Sequence, residues 1–328
     1  DPEILQRAVN LTMPRFPTYK AAIRKGVFWR YLEPNDRPGP FVQEDVKNPC
    51  QPMHFKGNNR YLVRIYYYRN RIALEAHHSL GDGTGGMCVL QTLTATYLRL
   101  KGHSEIENGG FVLDILGIPD PGELEDAYMK YANAKVCPPR PGEKTYRVRG
   151  TKEPFYTLNI IDGIMSASGG VVSEVMQVAK SYNATITEYL NSVLLYALMR
   201  KQESEWHLKL RPVKIAMPVN LRRFFPSRTL RNFITMIYPG IDPRLGEYTF
   251  EEIVTQVHNY MRYYLNEKLL RGDITTNAET QRNPFIRIVP LFIKDLVVRQ
   301  FYTKIQDKNS SAGLTNMGAL KVPETMKP

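Results

Sequence analysis

Cysteine is scarce: Cys50, Cys88 and Cys137 are the three in 328 residues. Their odd number, wide spacing and lack of any metal-ligand pattern suggest neither a disulfide framework nor a zinc site. A reducing, cytoplasmic compartment is therefore expected. No apolar run approaches the ~20 residues that a bilayer span requires, and the first residues carry no signal-peptide pattern. Short repeats and low-complexity tracts are missing too. Acidic residues are in deficit, with 32 Asp and Glu against 44 Lys and Arg, so the formal net charge is +12. Such an excess favours anionic partners of many kinds. The cations are scattered, however, and their densest set, LRRFFPSRTLR over Leu221–Arg231, sits in no nucleic-acid-binding signature. No nucleic-acid partner is expected.

What is present fits a packed enzyme or binding domain: 43% hydrophobic and 23% charged residues are near the averages for globular proteins. Asp1, Pro2 and Glu3 have the order of an N-cap, a first helical position and an acidic first turn, and Leu5, Val9 and Met13 then recur on one face. Tyr61–Tyr68 and Arg71–His77 read as two strands of a hairpin closed at Arg69-Asn70. A helix is expected from about Thr84 to Leu100. Prolines, glycines and charges loosen the pattern over Ser104–Lys152, which reads as a long crossing loop. Phe155–Ile161 reads as a strand closing the first half. In the second half, helices are expected over Val172–Ser181, after the capping-box pair Thr185 and Glu188, from Thr249 and Glu252 through Leu270, and over about Pro284–Tyr302. LKLRPVKIAMPVNL, NFITMIYPGI and the terminal GLTNMGAL read as strands. Both halves share this inventory, so a two-lobed α/β sandwich is predicted.

The most informative stretch is LEAHHSLGDGTGG, Leu74–Gly86. Strand alternation would set His78 on the face of Ile72, Leu74 and Ala76, in an enclosed and partly dry place, and His77 on the other face in a packing role. Several chemistries compete for this pattern. Gly81, Gly83 and Gly86 match the spacing of a dinucleotide loop, but Asp82 would repel a pyrophosphate and the preceding strand belongs to a hairpin. His77, His78 and Asp82 have the composition of a two-histidine, one-carboxylate metal triad, yet neighbouring strand residues point apart. A neutral imidazole at a strand end suits general base catalysis, with the glycines leaving room for substrate. Asp82 would then either orient the imidazole or pin the loop to a distant arginine. A packed histidine pair beside a surface turn is the ordinary alternative.

His77–Gly83, HHSLGDG, is similar to the HHxxxDG motif of the chloramphenicol acetyltransferase and condensation-domain superfamily, and the whole chain looks most like alcohol acetyltransferase-type proteins. PVNLRRFFP (Pro218–Pro226), RNF (Arg231–Phe233) and TNMG (Thr315–Gly318) add to the resemblance in the matching order. It implies a chloramphenicol acetyltransferase-like α/β sandwich with mixed sheets: an N-terminal lobe over 1–165 carrying the motif, and a C-terminal lobe over 166–328, incomplete at its end because the chain stops at VPETMKP. It further implies His78 as general base in an inter-lobe tunnel, and Asp82 paired with an arginine of the second lobe, Arg222 before Arg223. Gly83 would let the backbone turn, and Asn232, Thr315 and Asn316 would line the site or stabilise an oxyanion. The activity implied is acyl-CoA-dependent O-acyl transfer to an alcohol, with no metal and no permanently bound cofactor. An amine acceptor, an acyl carrier protein as donor, or an inactive binding relative are the alternatives. Two lobes in one chain imply a monomer.

Overall fold

The computed structural model describes residues 1–45, 52–133, 144–148, 169–205, 209–298, 309–318 and 322–326. Cys50, Cys137, most of the CPPRPGEK stretch and the strand expected over Phe155–Ile161 lie outside the described residues.

The first half is built on two small sheets. Asp1 caps helix α1 (Pro2–Thr12), its carboxylate accepting from the amides of Glu3 and Ile4. Strands β1 (Ala21–Lys25) and β2 (Arg30–Pro34) pair antiparallel as a hairpin that the sequence reading did not contain. Strand β3 (Val42–Glu44) runs parallel to β4 (Val63–Tyr68), which pairs antiparallel with β5 (Arg71–Ala76). The β4–β5 connection turns at Arg69, which adopts a left-handed φ of 48–63° like few other residues here, its own value being 50°. Helix α2 (Gly83–Leu100) packs with α1 on this sheet. Leu5, Val9, Phe16, Leu62, Ile65, Leu80, Val89 and Leu93 form their common core.

In the second half, α4 (Gly169–Ser181) and α5 (Ile186–Ser204) precede β6 (Val213–Asn220), the centre of a mixed sheet. Strands β7 (Ile234–Ile237) and β8 (Gly240–Ile241) pair antiparallel with β6, while β9 (Ala312–Gly313) pairs parallel with it. Buried Val213, Ile215, Met217 and Val219 alternate along β6 and meet Leu195 of α5 and Ile253 and Val257 of α6 (Phe250–Tyr264). Both expected capping boxes are present, at Thr185–Glu188 and Thr249–Glu252.

Three expectations need correction. The helix expected through Leu270 ends at Tyr264, and α7 (Glu267–Arg282) starts afresh because Asn266 caps it through the amide of Leu269. The helix expected over Pro284–Tyr302 is interrupted: α8 (Pro284–Ile288) stops at Val289, which the following Pro290 holds extended at ψ 126°, and helical backbone resumes over 291–298. GLTNMGAL contributes only β9, and 314–318 is irregular. The crossing region also does more than connect. Its α3 (Ala127–Tyr131) packs on α7, with Ala127 and Ala132 in one core with Leu221, Phe225, Phe233, Leu270 and Ile274 of the second half.

Candidate functional site

The motif loop is fixed by Asp82, which is 5% exposed. Its Oδ1 caps α2 by accepting from the amides of Thr84 (3.1 Å) and Gly85 (3.3 Å). Its Oδ2 faces the other half of the chain, accepting from Arg222 Nη1 at 2.7 Å and from the amide of Phe233 at 2.9 Å. One carboxylate thus ends a helix and ties two halves together. Arg222 is held as tightly. Its second Nη1–H reaches Asn220 Oδ1, Nε and Nη2 reach the carbonyl of Thr229, and Nη2 also reaches that of Arg231, so all five N–H groups have acceptors. Only a planar, five-donor guanidinium fits this cage, which a lysine would leave mostly unfilled. Arg222 rather than Arg223 is the partner. With both carboxylate oxygens occupied by four donors, Asp82 has no lone pair directed at His77 or His78 for a shared ion.

The glycines of the loop serve close packing rather than substrate space. A Cβ on Gly81 would lie 2.4 Å from the Tyr19 hydroxyl and 2.5 Å from the Leu230 carbonyl oxygen; on Gly85 it would lie 2.2 Å from that oxygen. At Gly83 it would strike Met317 Cε at 2.4 Å, so the TNMG stretch rests on the start of α2. Gly86, the third glycine of the dinucleotide spacing, has only Leu74 Cδ2 nearby, at 3.9 Å. The expected room for substrate is therefore filled at Gly81, Gly83 and Gly85, by Tyr19, by the second half's Leu230 and by Met317, while Gly86 stays open. Burial raises the Tyr19 phenol well above its usual value, aided by the Asp82 carboxylate. It likewise pushes the Cys88 thiol up to about 12, with Glu123 contributing.

The histidines depart from the expected faces. Strand β5 ends at Ala76, and the chain then turns, the amide of Leu80 donating to the His77 carbonyl. Alternation stops two residues before His78, and both imidazoles are exposed instead of one standing enclosed. His77 Nδ1 lies 2.8 Å from Ser79 Oγ, and its ring meets Phe55 edge to face. His78 reaches across to the second half. Its Nδ1 is 3.0 Å from Asn232 Oδ1, while Asn232 Nδ2 donates to the backbone carbonyl of His78 itself. The second bond fixes which way the amide points, so Nδ1 must be the donor of the first. A neutral His78 accordingly carries its proton on Nδ1 and keeps the Nε2 lone pair.

In that geometry the Asn232 amide holds His78 at both ends, Oδ1 on the imidazole Nδ1 and one Nδ2–H on the backbone carbonyl. Asn316 is engaged too, donating to Thr187 Oγ1 at 2.8 Å and accepting from the amide of Gly318. Thr315 is exposed in the same irregular stretch. The clamp role of Asn232 was within reach of the sequence only as a polar residue beside Arg231. Nothing in spacing links it to a histidine 154 positions away.

No protein-family model and no curated protein matches the chain. Solved structures do. Polyketide synthase associated protein 5 from Mycobacterium tuberculosis superposes with a TM-score of 0.51 at 14% identity, over 83% of this chain and 67% of that one. TRI101 of F. sporotrichioides, complexed with coenzyme A and T-2, gives 0.50 at 12% identity, over 95% and 74%. The first condensation domain of the CDA synthetase gives 0.47 at 14%, over 88% and 70%. The chain has the two-lobed chloramphenicol acetyltransferase-like α/β fold with mixed sheets, the fold that the HHxxxDG resemblance implied.

Proposed function

We propose that this chain is an acyltransferase that moves an acyl group, other than an aminoacyl group, from coenzyme A to an alcohol, with His78 as general base. The observation that carries the proposal is the two-point hold of Asn232 on His78, which leaves Nε2 as the proton acceptor. Nε2 takes the proton of the acceptor hydroxyl as its oxygen attacks the thioester carbonyl; the C–S bond then breaks, and the imidazolium returns the proton to the leaving thiolate. Such a base supplies roughly 10²–10⁴-fold of the rate, and holding donor and acceptor together supplies much of the remainder. Asp82 and Arg222 do no chemistry in this scheme. They fix the N-terminus of α2 and the Asn220–Phe233 segment in one frame, and so set the distance between His78 and its clamp. The base comes from the first lobe, 1–165, and the clamp from the second, 166–328, which supports a monomer. The coenzyme A seen with TRI101 and the cationic balance of this chain support the choice of donor.

The exposed imidazole has a consequence. Water reaches it, and water competes with alcohol for the same base. Thioester hydrolysis without acceptor is expected, and it should depend on His78. The test is thiol release from a panel of acyl-CoA donors with and without alcohols, comparing the parent with His78→Ala. A loss of at least about 10²-fold is expected. Equal rates in the two proteins would overturn the proposal.

A further inference from the structure

The strangest surface of the molecule lies away from His78. The β1–β2 hairpin turns through Gly26, Val27, Phe28 and Trp29, closed by the Gly26 amide on the Trp29 carbonyl. Turns are normally polar, built from Gly, Asn, Asp, Ser and Pro. Here three consecutive apolar residues stand in water, Val27 at 72% exposure. The helical segments around Pro290 meet this tip. The Leu291 amide donates to the Val27 carbonyl, Lys294 Nζ donates to the Phe28 carbonyl and lies 3.5 Å over the Trp29 ring, and Arg30 forms a bidentate pair with Asp295. These contacts make one continuous surface. On it, Phe285 (77% exposed) and Ile288 lie three residues apart in α8, and Phe292 (70%) and Leu296 four apart in the helical stretch after Pro290, all exposed to solvent.

Its charge is one-sided. Over 25–30 and 284–298 the charged residues are Lys25, Arg30, Arg287 and Lys294 against Asp295 alone, and Asp295 is taken by Arg30. Aromatic and branched aliphatic side chains ringed by cations are the composition of surfaces that dip into the headgroup and upper acyl region of an anionic lipid layer. A protein partner would need carboxylates placed to match scattered cations; an anionic lipid surface supplies negative charge everywhere around the apolar tip.

From this juxtaposition we infer that the hairpin tip and the 284–298 segments form a peripheral docking face for anionic lipid surfaces. Its two parts have separate roles. Phe285, Ile288, Phe292, Val27 and Phe28 enter the layer, while Lys25, Arg287 and Lys294 hold it by charge.

Vesicle flotation tests this with phosphatidylcholine alone and with phosphatidylcholine containing phosphatidylserine. The parent should float with the anionic vesicles and much less with the neutral ones, and added salt should weaken the association. In a Trp206→Phe background, Trp29 emission should shift to the blue on anionic vesicles. Phe285→Ser with Phe292→Ser should lower partitioning at least about tenfold with the melting temperature unchanged, since both rings are exposed. Absence of flotation, or equal flotation of this double variant, would overturn the inference. So would concentration-dependent self-association lost in the double variant without any vesicle binding, which would assign the face to a second copy of the chain.

Discussion

Replacing Asp82 with alanine probes the joint between the halves. The substitution removes the acceptor of four N–H groups at once. Losing the cap of α2 costs about 1 kcal/mol. Stranding Arg222, 12% exposed and caged by backbone carbonyls that cannot follow it into water, costs more. Breaking one side of a buried ion pair typically costs about 3–5 kcal/mol. The sum, about 4–6 kcal/mol, converts to a fall in melting temperature on the order of 10 °C at about 2 °C per kcal/mol for a chain of this size. Calorimetry measures it directly. Arg222→Met relieves the stranded charge, so the double variant should be less damaged than the two singles added together, with a coupling of roughly 1–3 kcal/mol. An unchanged melting temperature in Asp82→Ala, or strictly additive losses, would refute the assignment of Asp82 as the inter-lobe tie.

Other outcomes follow from the same geometry. Gly85→Ala should destabilise by at least about 1–3 kcal/mol, because its Cβ meets a backbone oxygen, whereas Gly86→Ala on the same helix should be neutral or stabilising by up to about 1 kcal/mol; paired thermal melts decide. Asn232→Ala should lower kcat/KM about five- to tenfold through loss of one hydrogen bond to the base. Asn232→Asp should keep the Nδ1 acceptor and move the acidic limb of the kcat/KM profile to higher pH, since a carboxylate stabilises the imidazolium. Cys88 should resist alkylation in the native protein in a Cys50→Ser, Cys137→Ser background. Its thiol ionises near 9 when unfolded and only at about 12 when folded, so the stability it contributes is complete below pH 9 and lost across that window; denaturant midpoints at pH 8 and 10.5 measure the decline, and equal values contradict it.

Local signals in the sequence carried far. Asp1, Thr185 and Thr249 cap helices because a short polar side chain before an apolar-periodic run has few other uses, and the β4–β5 hairpin follows from two alternating runs with two residues between them. The Asp82–Arg222 contact came from the motif resemblance; alternation and spacing alone left it open. What failed were inferences that extended a period past its element. His78 was assigned a face by strand alternation, but β5 stops at Ala76 and a turn decides where the ring goes. The helix through Leu270 overran Asn266, a cap inside a continuous apolar pattern. Gly81 and Gly83 looked like space for a ligand, when what fills them is Tyr19, the backbone of Leu230 and Met317, and contacts made across the fold leave no local trace. The β1–β2 hairpin went unread because its turn holds Val27, Phe28 and Trp29 where polar residues were the signal sought.

The proposed general-base chemistry depends on where one proton sits. Long-range proton–nitrogen correlation spectra of the imidazoles, with His78 identified by its loss in His78→Gln, report the tautomer directly in neutral solution. His78 should show a protonated Nδ1 and a bare Nε2, becoming a mixture in Asn232→Ala. A proton on Nε2 in the parent protein would contradict that chemistry.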